Sequence, residues 1–431
     1  MSTRVVRSLI GLALAVGLSS PVLANGGEEQ SQSQPPDHEH MQMNMAPTGW
    51  QFMQDGVVFG VFNHQGGPRG GDEFKVTNWW MGMATRQFGS SQLTVTSMFS
   101  LEPATVGKRG YGEIMQIGET VGGRPLIDRQ HPHDLFMQLA AIWRRPITST
   151  TGFTIAAGPA GEPALGPVAF MHRVSAAENA FAPLSHHTFD STHVAYGVIT
   201  AAVNHGPWVI EGSLFNAREP DERRWDFDFG ALDSVSARVW YRPTERFELQ
   251  LSSGHLRDPE ELEPGNIQRT TTSASWFKRS GADFTAVTIG YGLNATHEAN
   301  RQAVFGEATR HVGLNSLFGR VEVLQVETDL LLTGAIPVTA GAAARKDTIG
   351  AFTIGGVRDI VKARGFEGGL GAALTFYAVP ERLKITHGEH PVSFQVFFRL
   401  RPPAGSTGRM WNMRMSQPMV EHSMQMTHEM K

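Results

Sequence analysis

The stretch VSFQVFFRL at positions 392–400 decides the fold. Its apolar residues recur at every second position, while Ser393, Gln395 and Arg399 fill most of the positions between them. Because successive side chains of a β-strand point to opposite faces, this alternation predicts a strand with one apolar and one largely polar face.

The same alternation recurs along most of the chain. Roughly 16 segments show it, each about ten residues long, which is the length that a tilted strand needs to cross a bilayer. The segments lie at 51–62, 74–86, 93–101, 135–144, 151–158, 193–204, 208–217, 235–241, 247–251, 267–278, 283–294, 302–311, 315–328, 349–361, 367–379 and 392–400. Helical spacing is almost absent. We therefore predict an all-β fold, a transmembrane antiparallel β-barrel of roughly 14–16 strands.

Alternation alone does not separate a membrane barrel from a soluble β-sandwich, because both have strands with one apolar face. The connections favour the barrel, since short turns at one end and long loops at the other are typical of outer-membrane barrels. The tight turns are predicted at 243–245 and 279–281. The long connections are 103–132, 159–192 and 218–228. Tryptophans near strand ends fit aromatic belts at the membrane surfaces as well as a sandwich core. They are Trp50, Trp79, Trp80, Trp143, Trp208, Trp240 and Trp276.

The first 24 residues have the features of a secretory signal peptide. Arg4 and Arg7 precede a short apolar stretch, and Val22-Leu23-Ala24 fits a cleavage motif, so the mature chain is expected to begin at Asn25. The sequence contains no cysteine, which excludes a disulfide framework and a lipoprotein anchor. No later stretch is apolar enough for a transmembrane helix.

Composition then divides the chain into four parts. We predict a signal peptide at 1–24, a disordered tail at 25–49, an outer-membrane barrel at 50–402 in contact with lipid, and a C-terminal tail at 403–431. The formal charge of -4 provides no basic field for nucleic acid.

Both tails are rich in methionine and histidine. They hold ten of the 18 methionines, three in the first tail and seven in the second. A disordered segment gains nothing from packing a thioether, whereas thioether sulfur favours Cu(I) and imidazole also binds Cu(II) and Zn(II). The predicted ligands are His38, His40, Met41, Met43, Met45, Met410, Met413, Met415, Met419, His422, Met424, Met426, His428 and Met430. The alternative is a compositionally biased tail that binds no metal.

These tails on an exported barrel resemble the copper resistance protein B family of Gram-negative outer membranes. The stretch Arg129-Gln130-His131-Pro132-His133-Asp134-Leu135 is instead similar to an uncharacterised group of bacterial outer-membrane proteins. Resemblance to the copper family implies a bound copper ion and copper tolerance, by sequestration or by passage across the outer membrane. It also implies periplasmic copper proteins as partners.

A second group of candidate ligands lies in two long connections of the barrel. The candidates are His131, His133, Asp134, His186, His187 and His193. Three interpretations are open: a metal site, an inward polar network of His, Asp and Arg that plugs or lines the barrel, and a hydrolase site. The hydrolase would use Ser185 or Ser191 with a neighbouring histidine and Asp190, although no nucleophile-elbow pattern surrounds either serine.

Other charged residues fit ordinary roles. The stretch 218–224 is charged enough to be a solvated loop, and Arg238, Arg320, Glu322 and Arg399 fit the lumen face of their strands.

From the barrel pattern and the tails together, we predict a non-enzymatic outer-membrane barrel that binds copper or passes it across the membrane. The alternatives are a general porin-like channel with incidental tails and a barrel hydrolase that uses the loop histidines.

Overall fold

The computed structural model describes residues 49–402, except 262–264, 298, 335–344 and 364. Within these residues the chain forms 18 strands. They are β1 Gln51–Gln65, β2 Gly71–Phe88, β3 Ser91–Phe99, β4 Tyr111–Val121, β5 Arg124–Gln130, β6 Phe136–Pro146, β7 Thr151–Gly161, β8 Ala195–His205, β9 Trp208–Phe215, β10 Ser234–Thr244, β11 Phe247–Leu256, β12 Ile267–Ser280, β13 Asp283–Ala295, β14 Asn300–Val312, β15 Asn315–Glu327, β16 Lys346–Ala363, β17 Phe366–Ala378 and β18 Val392–Arg401.

Sixteen of these strands form one closed antiparallel barrel. Each strand pairs with its neighbours in the chain, except that β3 pairs with β6, and β18 pairs with β1 through positions such as Val58 and Leu400. All 16 segments predicted from alternation correspond to barrel strands. The remaining strands, β4 and β5, form a separate hairpin in a connection that was predicted to be a loop.

The apolar face of the barrel strands points outward. In β18, Val396 is 51% exposed whereas Arg399 is 1% exposed, and the same contrast separates Leu251 from Gln250 in β11. A sandwich would bury the apolar face between two sheets. The single closed sheet therefore confirms the barrel.

The two ends of the barrel differ as predicted. At one end, two-residue turns join β8 to β9, β10 to β11 and β12 to β13. At the other end, long connections join β3 to β6, β7 to β8 and β9 to β10. The chain enters the barrel at Gln51 and leaves it at Arg401, both on the short-turn end.

The long connections contain short helices. The α-helices are α1 Glu102–Thr105, α2 His186–Phe189, α3 Thr328–Thr333 and α4 Lys384–His387. The 3₁₀ turns are Phe170–His172, Val174–Ala176, Ser191–His193 and Glu381–Leu383. Among the described residues, no helix is long and apolar enough to span a bilayer.

The connection 162–194, here called the inner loop, folds into the lumen. It forms hydrogen bonds to nine barrel strands, β2, β9 to β15 and β18. Most of its residues are buried. Apolar side chains of the inner loop and β4, such as Phe189 and Met115, pack against Phe305 and Leu324 of the barrel wall.

The inward charges predicted from alternation bind the inner loop instead of lining an open lumen. Arg238 donates to Glu162 and to the Gly166 carbonyl, and Arg399 pairs with Glu178.

Of the predicted aromatic belt, Trp50, Trp208 and Trp276 are exposed near the short-turn end. Trp240 departs from the belt because it faces the lumen, where its Nε1 donates to Glu211 at 2.8 Å.

Candidate metal centre inside the barrel

Five histidines from two connections meet at the long-loop end of the lumen. His131 and His133 follow β5, His186 and His187 begin α2, and His193 ends the turn before β8. The folding of the inner loop into the barrel brings the two groups together. We call these five residues the histidine cluster.

The rings of the cluster form a continuous set. The His186 ring lies 5.4 Å from that of His187 and 5.2 Å from that of His193, measured between centroids. His133 lies 5.4 Å from His193, and His131 lies 5.6 Å from His187 and 6.5 Å from His186.

Buried acceptors fix the orientation of three of these rings. The Nδ1 atom of His133 lies 3.0 Å from Glu102, that of His186 lies 2.8 Å from Asp190, and that of His193 lies 2.7 Å from the Asp190 carbonyl oxygen. A histidine that binds a metal commonly has such a partner on its other nitrogen, because the partner sets the tautomer and the ring orientation.

His131 and Asp134 belong to a second set of contacts beside the cluster. The Nε2 atom of His131 lies 3.3 Å from Glu119, and Arg224 pairs with both Glu119 and Asp134. Burial is the main cause that raises the pKa of Asp134 well above its ordinary value. Of the six loop residues predicted as ligands, five thus form the histidine cluster, and the carboxylate of Asp134 pairs with Arg224.

Burial keeps most of the cluster neutral. It lowers the pKa values of His131 and His193 well below the ordinary range, with a further contribution from neighbouring histidines, and it also lowers that of His186. Among the described residues, the Nε2 atoms of His187 and His193 are buried without a hydrogen-bond partner. His193 thus combines a lowered pKa with a free nitrogen, and a neutral imidazole with a free nitrogen is the form that binds a transition metal.

His187 also contacts two carboxylates outside the cluster. Its Nδ1 atom lies 3.3 Å from Glu219, and one ligand atom from each of His187, Glu219 and Glu260 falls within 4.8 Å of the others. In the part of the chain that the structure describes, the one other trio this close is the acidic group Asp221, Asp226 and Asp228. The histidine cluster itself does not bring three nitrogens within that distance.

The serines of the hydrolase interpretation have other partners. The hydroxyl of Ser185 donates to Glu322 at 2.7 Å, and that of Ser191 accepts from Arg269 at 2.9 Å. Neither hydroxyl forms a described hydrogen bond to a histidine. The contacts therefore do not assemble a Ser/His/Asp arrangement.

Sequence reasoning missed the carboxylates that complete the site. Glu102, Glu119 and Glu260 had no motif around them, and Glu219 lies in a stretch that was predicted to be a solvated loop. The predicted tail ligands, at 38–45 and 410–430, lie outside the described residues.

The sequence matches no protein-family model and no curated protein. The fold is similar to that of solved barrels. OprB of Pseudomonas putida aligns with a TM-score of 0.50 at 9% identity, covering 82% of this chain and 94% of that one. An anion-selective porin from Comamonas acidovorans aligns with a TM-score of 0.49 at 10% identity, covering 82% and 99%. OmpF of Salmonella typhi gives 0.49 at 6% identity, covering 82% and 99%.

Proposed function

We propose that this chain is an outer-membrane barrel that binds a transition-metal ion inside its lumen, at the histidine cluster. The observation that carries the proposal is the convergence of five largely buried imidazoles, three of them oriented through Nδ1 by fixed acceptors. Structural histidines are usually satisfied by one or two hydrogen bonds, whereas here the Nε2 atoms of His187 and His193 are left without a described partner.

The outer membrane is the location that the barrel surface supports. Side chains such as Leu251, Ile289 and Leu370 are more than half exposed on the outward face, which would be unfavourable in water and favourable against acyl chains. In barrels of this kind the short turns face the periplasm. The histidine cluster would then lie toward the cell exterior.

An ion at the cluster needs a small adjustment of the rings. Two nitrogens that bind one ion at about 2.1 Å lie at most about 4.2 Å apart. No three cluster nitrogens lie within 4.8 Å of one another, so an ion would have to draw the rings closer together while their Nδ1 contacts are kept. The carboxylate partners on Nδ1 would stay in place, because Glu102 is also held by the backbone N–H groups of Asn78 and His133.

Zinc titration of the full chain in detergent tests the proposal. We expect His193→Gln to remove one high-affinity Zn²⁺ site per chain, because it takes away a nitrogen with no other partner. We expect Glu102→Gln to weaken the same site by about 10- to 100-fold, the usual cost of losing an outer-shell partner.

The matched control is His205→Gln. His205 ends β8 at the opposite end of the barrel, where its Nδ1 atom contacts the Thr151 hydroxyl. The tail histidines are also predicted ligands, so the result to compare is the difference in Zn²⁺ binding between the variants. Identical isotherms for the wild type and His193→Gln would contradict the proposal.

Copper binding by the tails is a separate part of the proposal, supported by their composition alone. It would add a Cu(I) site, and periplasmic copper proteins are its expected partners. A Cu(I) titration of the full chain, compared with a variant in which the seven C-terminal methionines are replaced by leucine, tests it. Equal Cu(I) binding by both proteins would contradict it.

A porin-like channel was the alternative predicted from the sequence, and the closed 16-stranded barrel with its short turns and long loops supports it better than copper binding. The inner loop argues for a narrow passage, because it bonds to nine of the barrel strands. Conductance in a planar bilayer separates the candidates: a general porin gives large, stable steps, whereas we expect small currents from this barrel.

A further inference from the structure

We infer that His187, Glu219 and Glu260 form a second cation site, which takes Mn²⁺ or Zn²⁺ rather than Cu(I). This site goes beyond the proposed function, because it uses two carboxylates that lie outside the histidine cluster. Its three ligand atoms already lie within 4.8 Å of one another. The His187 and Glu219 side chains are only 18% and 17% exposed.

The surrounding contacts position all three residues. The backbone N–H of Glu219 donates to the carbonyl of Pro259 at 2.9 Å, which joins the β9–β10 connection to the β11–β12 connection and places Glu219 beside Glu260. The carbonyl of His187 accepts from Arg269 at 2.7 Å and from the Asn294 amide at 3.2 Å. The site is therefore built by three separate loops and held by hydrogen bonds that do not use the ligand atoms.

The side chain of Glu260 provides an independent argument for a bound cation. Its Oε1 atom is buried and has no hydrogen-bond partner within the described part of the chain. A buried carboxylate oxygen without a partner is costly, and coordination of a cation would satisfy it. A small cleft lined by Glu219, Glu260 and Arg269, among others, lies at this point of the protein.

The local charge suits a divalent cation. Two carboxylates face one nearby guanidinium, that of Arg269, while Arg218 on the same cleft is paired with Asp233 at 2.9 Å. Burial lowers the pKa of His187, but its hydrogen bond to Glu219 and the charges of Glu219 and Glu260 outweigh this effect and leave the pKa raised.

The donor set selects the class of ion. Carboxylate oxygens suit Mn²⁺ and also bind Zn²⁺, and imidazole is a good ligand for Zn²⁺, whereas Cu(I) prefers thiolate and thioether sulfur. The site is thus chemically distinct from the methionine-rich tails. It also adjoins the histidine cluster, because His187 belongs to both.

Manganese binding to the full chain in detergent, followed by the loss of the free Mn²⁺ signal in electron paramagnetic resonance, tests this site. We expect the wild type to bind one Mn²⁺ per chain at this site. We expect the double variant Glu219→Gln, Glu260→Gln to bind it more than about 100-fold more weakly, since even an outer-shell loss costs 10- to 100-fold. Zn²⁺ should displace the bound Mn²⁺.

Neighbouring glutamates in the same two connections provide the matched control. Glu222→Gln with Glu261→Gln makes the same change in charge and should leave Mn²⁺ binding unchanged. His193→Gln should also leave it unchanged, which separates this site from the histidine cluster: either site can fail without the other.

Three results would overturn the inference. The first is Mn²⁺ binding that the Glu219, Glu260 double variant retains in full. The second is loss of binding on Asp226→Asn alone, which would assign the ion to the acidic trio of the neighbouring loop. The third is a wild-type chain that binds neither Mn²⁺ nor displacing Zn²⁺ at this site.

Discussion

Replacing Arg173 with methionine should loosen the inner loop from the barrel wall. Arg173 is 3% exposed and lies between two carboxylates. Its Nε atom is 2.7 Å from Glu307 of β14, and its Nη1 atom is 2.8 Å from Asp190 of the inner loop. Methionine keeps most of the apolar stem of the side chain but removes the charge.

The free-energy cost of Arg173→Met depends on the contacts that Glu307 keeps. Removing one partner of a buried ion pair typically costs 3–5 kcal/mol, since the other charge is left buried. Glu307 keeps Arg320 at 3.1 Å and the Ser175 hydroxyl at 2.9 Å, so we expect about 3 kcal/mol, the lower end of that range. At about 1.4 kcal/mol for each factor of ten, local opening of the loop becomes roughly 100-fold more frequent.

Amide hydrogen exchange, followed by mass spectrometry, measures how often the inner loop opens. Amides of the inner loop should exchange about 100-fold faster in Arg173→Met, while those of the barrel strands remain protected. Arg310→Met is the matched control, because Arg310 is exposed and donates to Thr285 on the outside of the barrel. Unchanged exchange of the loop amides in Arg173→Met would refute the assignment of this ion pair as an anchor.

Two further predictions concern pH and lipid. Burial lowers the pKa of His172 from 6.5 to about 4, so the unfolded chain takes up the proton first and this part of the stability is lost as the pH falls below about 6.5. At pH 5 the free energy of unfolding, measured in urea, should be about 2 kcal/mol lower than at neutral pH. The stability of His172→Gln should depend less on pH over this interval. Equal pH dependence of the wild type and the variant would contradict the prediction. On the outward face, Leu251→Arg should cost about 2–4 kcal/mol in lipid vesicles, whereas His255→Arg, nearer the long-loop rim, should cost about 0–1 kcal/mol. Equal costs for the two would show that Leu251 does not lie at the middle of the bilayer.

The barrel was predictable because each strand separates an outward apolar face from an inward polar one. The alternation at 392–400 therefore reports the environment of every side chain in β18. The hairpin of β4 and β5 does not show this pattern, because β4 is largely buried on both faces and the buried face of β5 includes the polar residues Asp128 and Gln130. Met115 and Asp128 also have positive φ angles of 66° and 57°, which interrupt the regular alternation.

The candidate site was predictable in its residue types but not in its contacts. Closely spaced pairs such as His131 and His133, or His186 and His187, are visible in the sequence. The contacts between these pairs form only because the inner loop folds into the lumen. That fold depends on contacts between residues far apart in the sequence, so no local sequence pattern predicts it. Glu219 and Glu260 reach His187 only through that fold, so a search near the histidines in the sequence does not find them.

The inner loop remains tethered at both of its ends, because Gly161 and Ala195 are paired neighbours in β7 and β8. It therefore stays attached to the barrel when its ion pairs open, and it could clear the lumen only by swinging about these two neighbouring points.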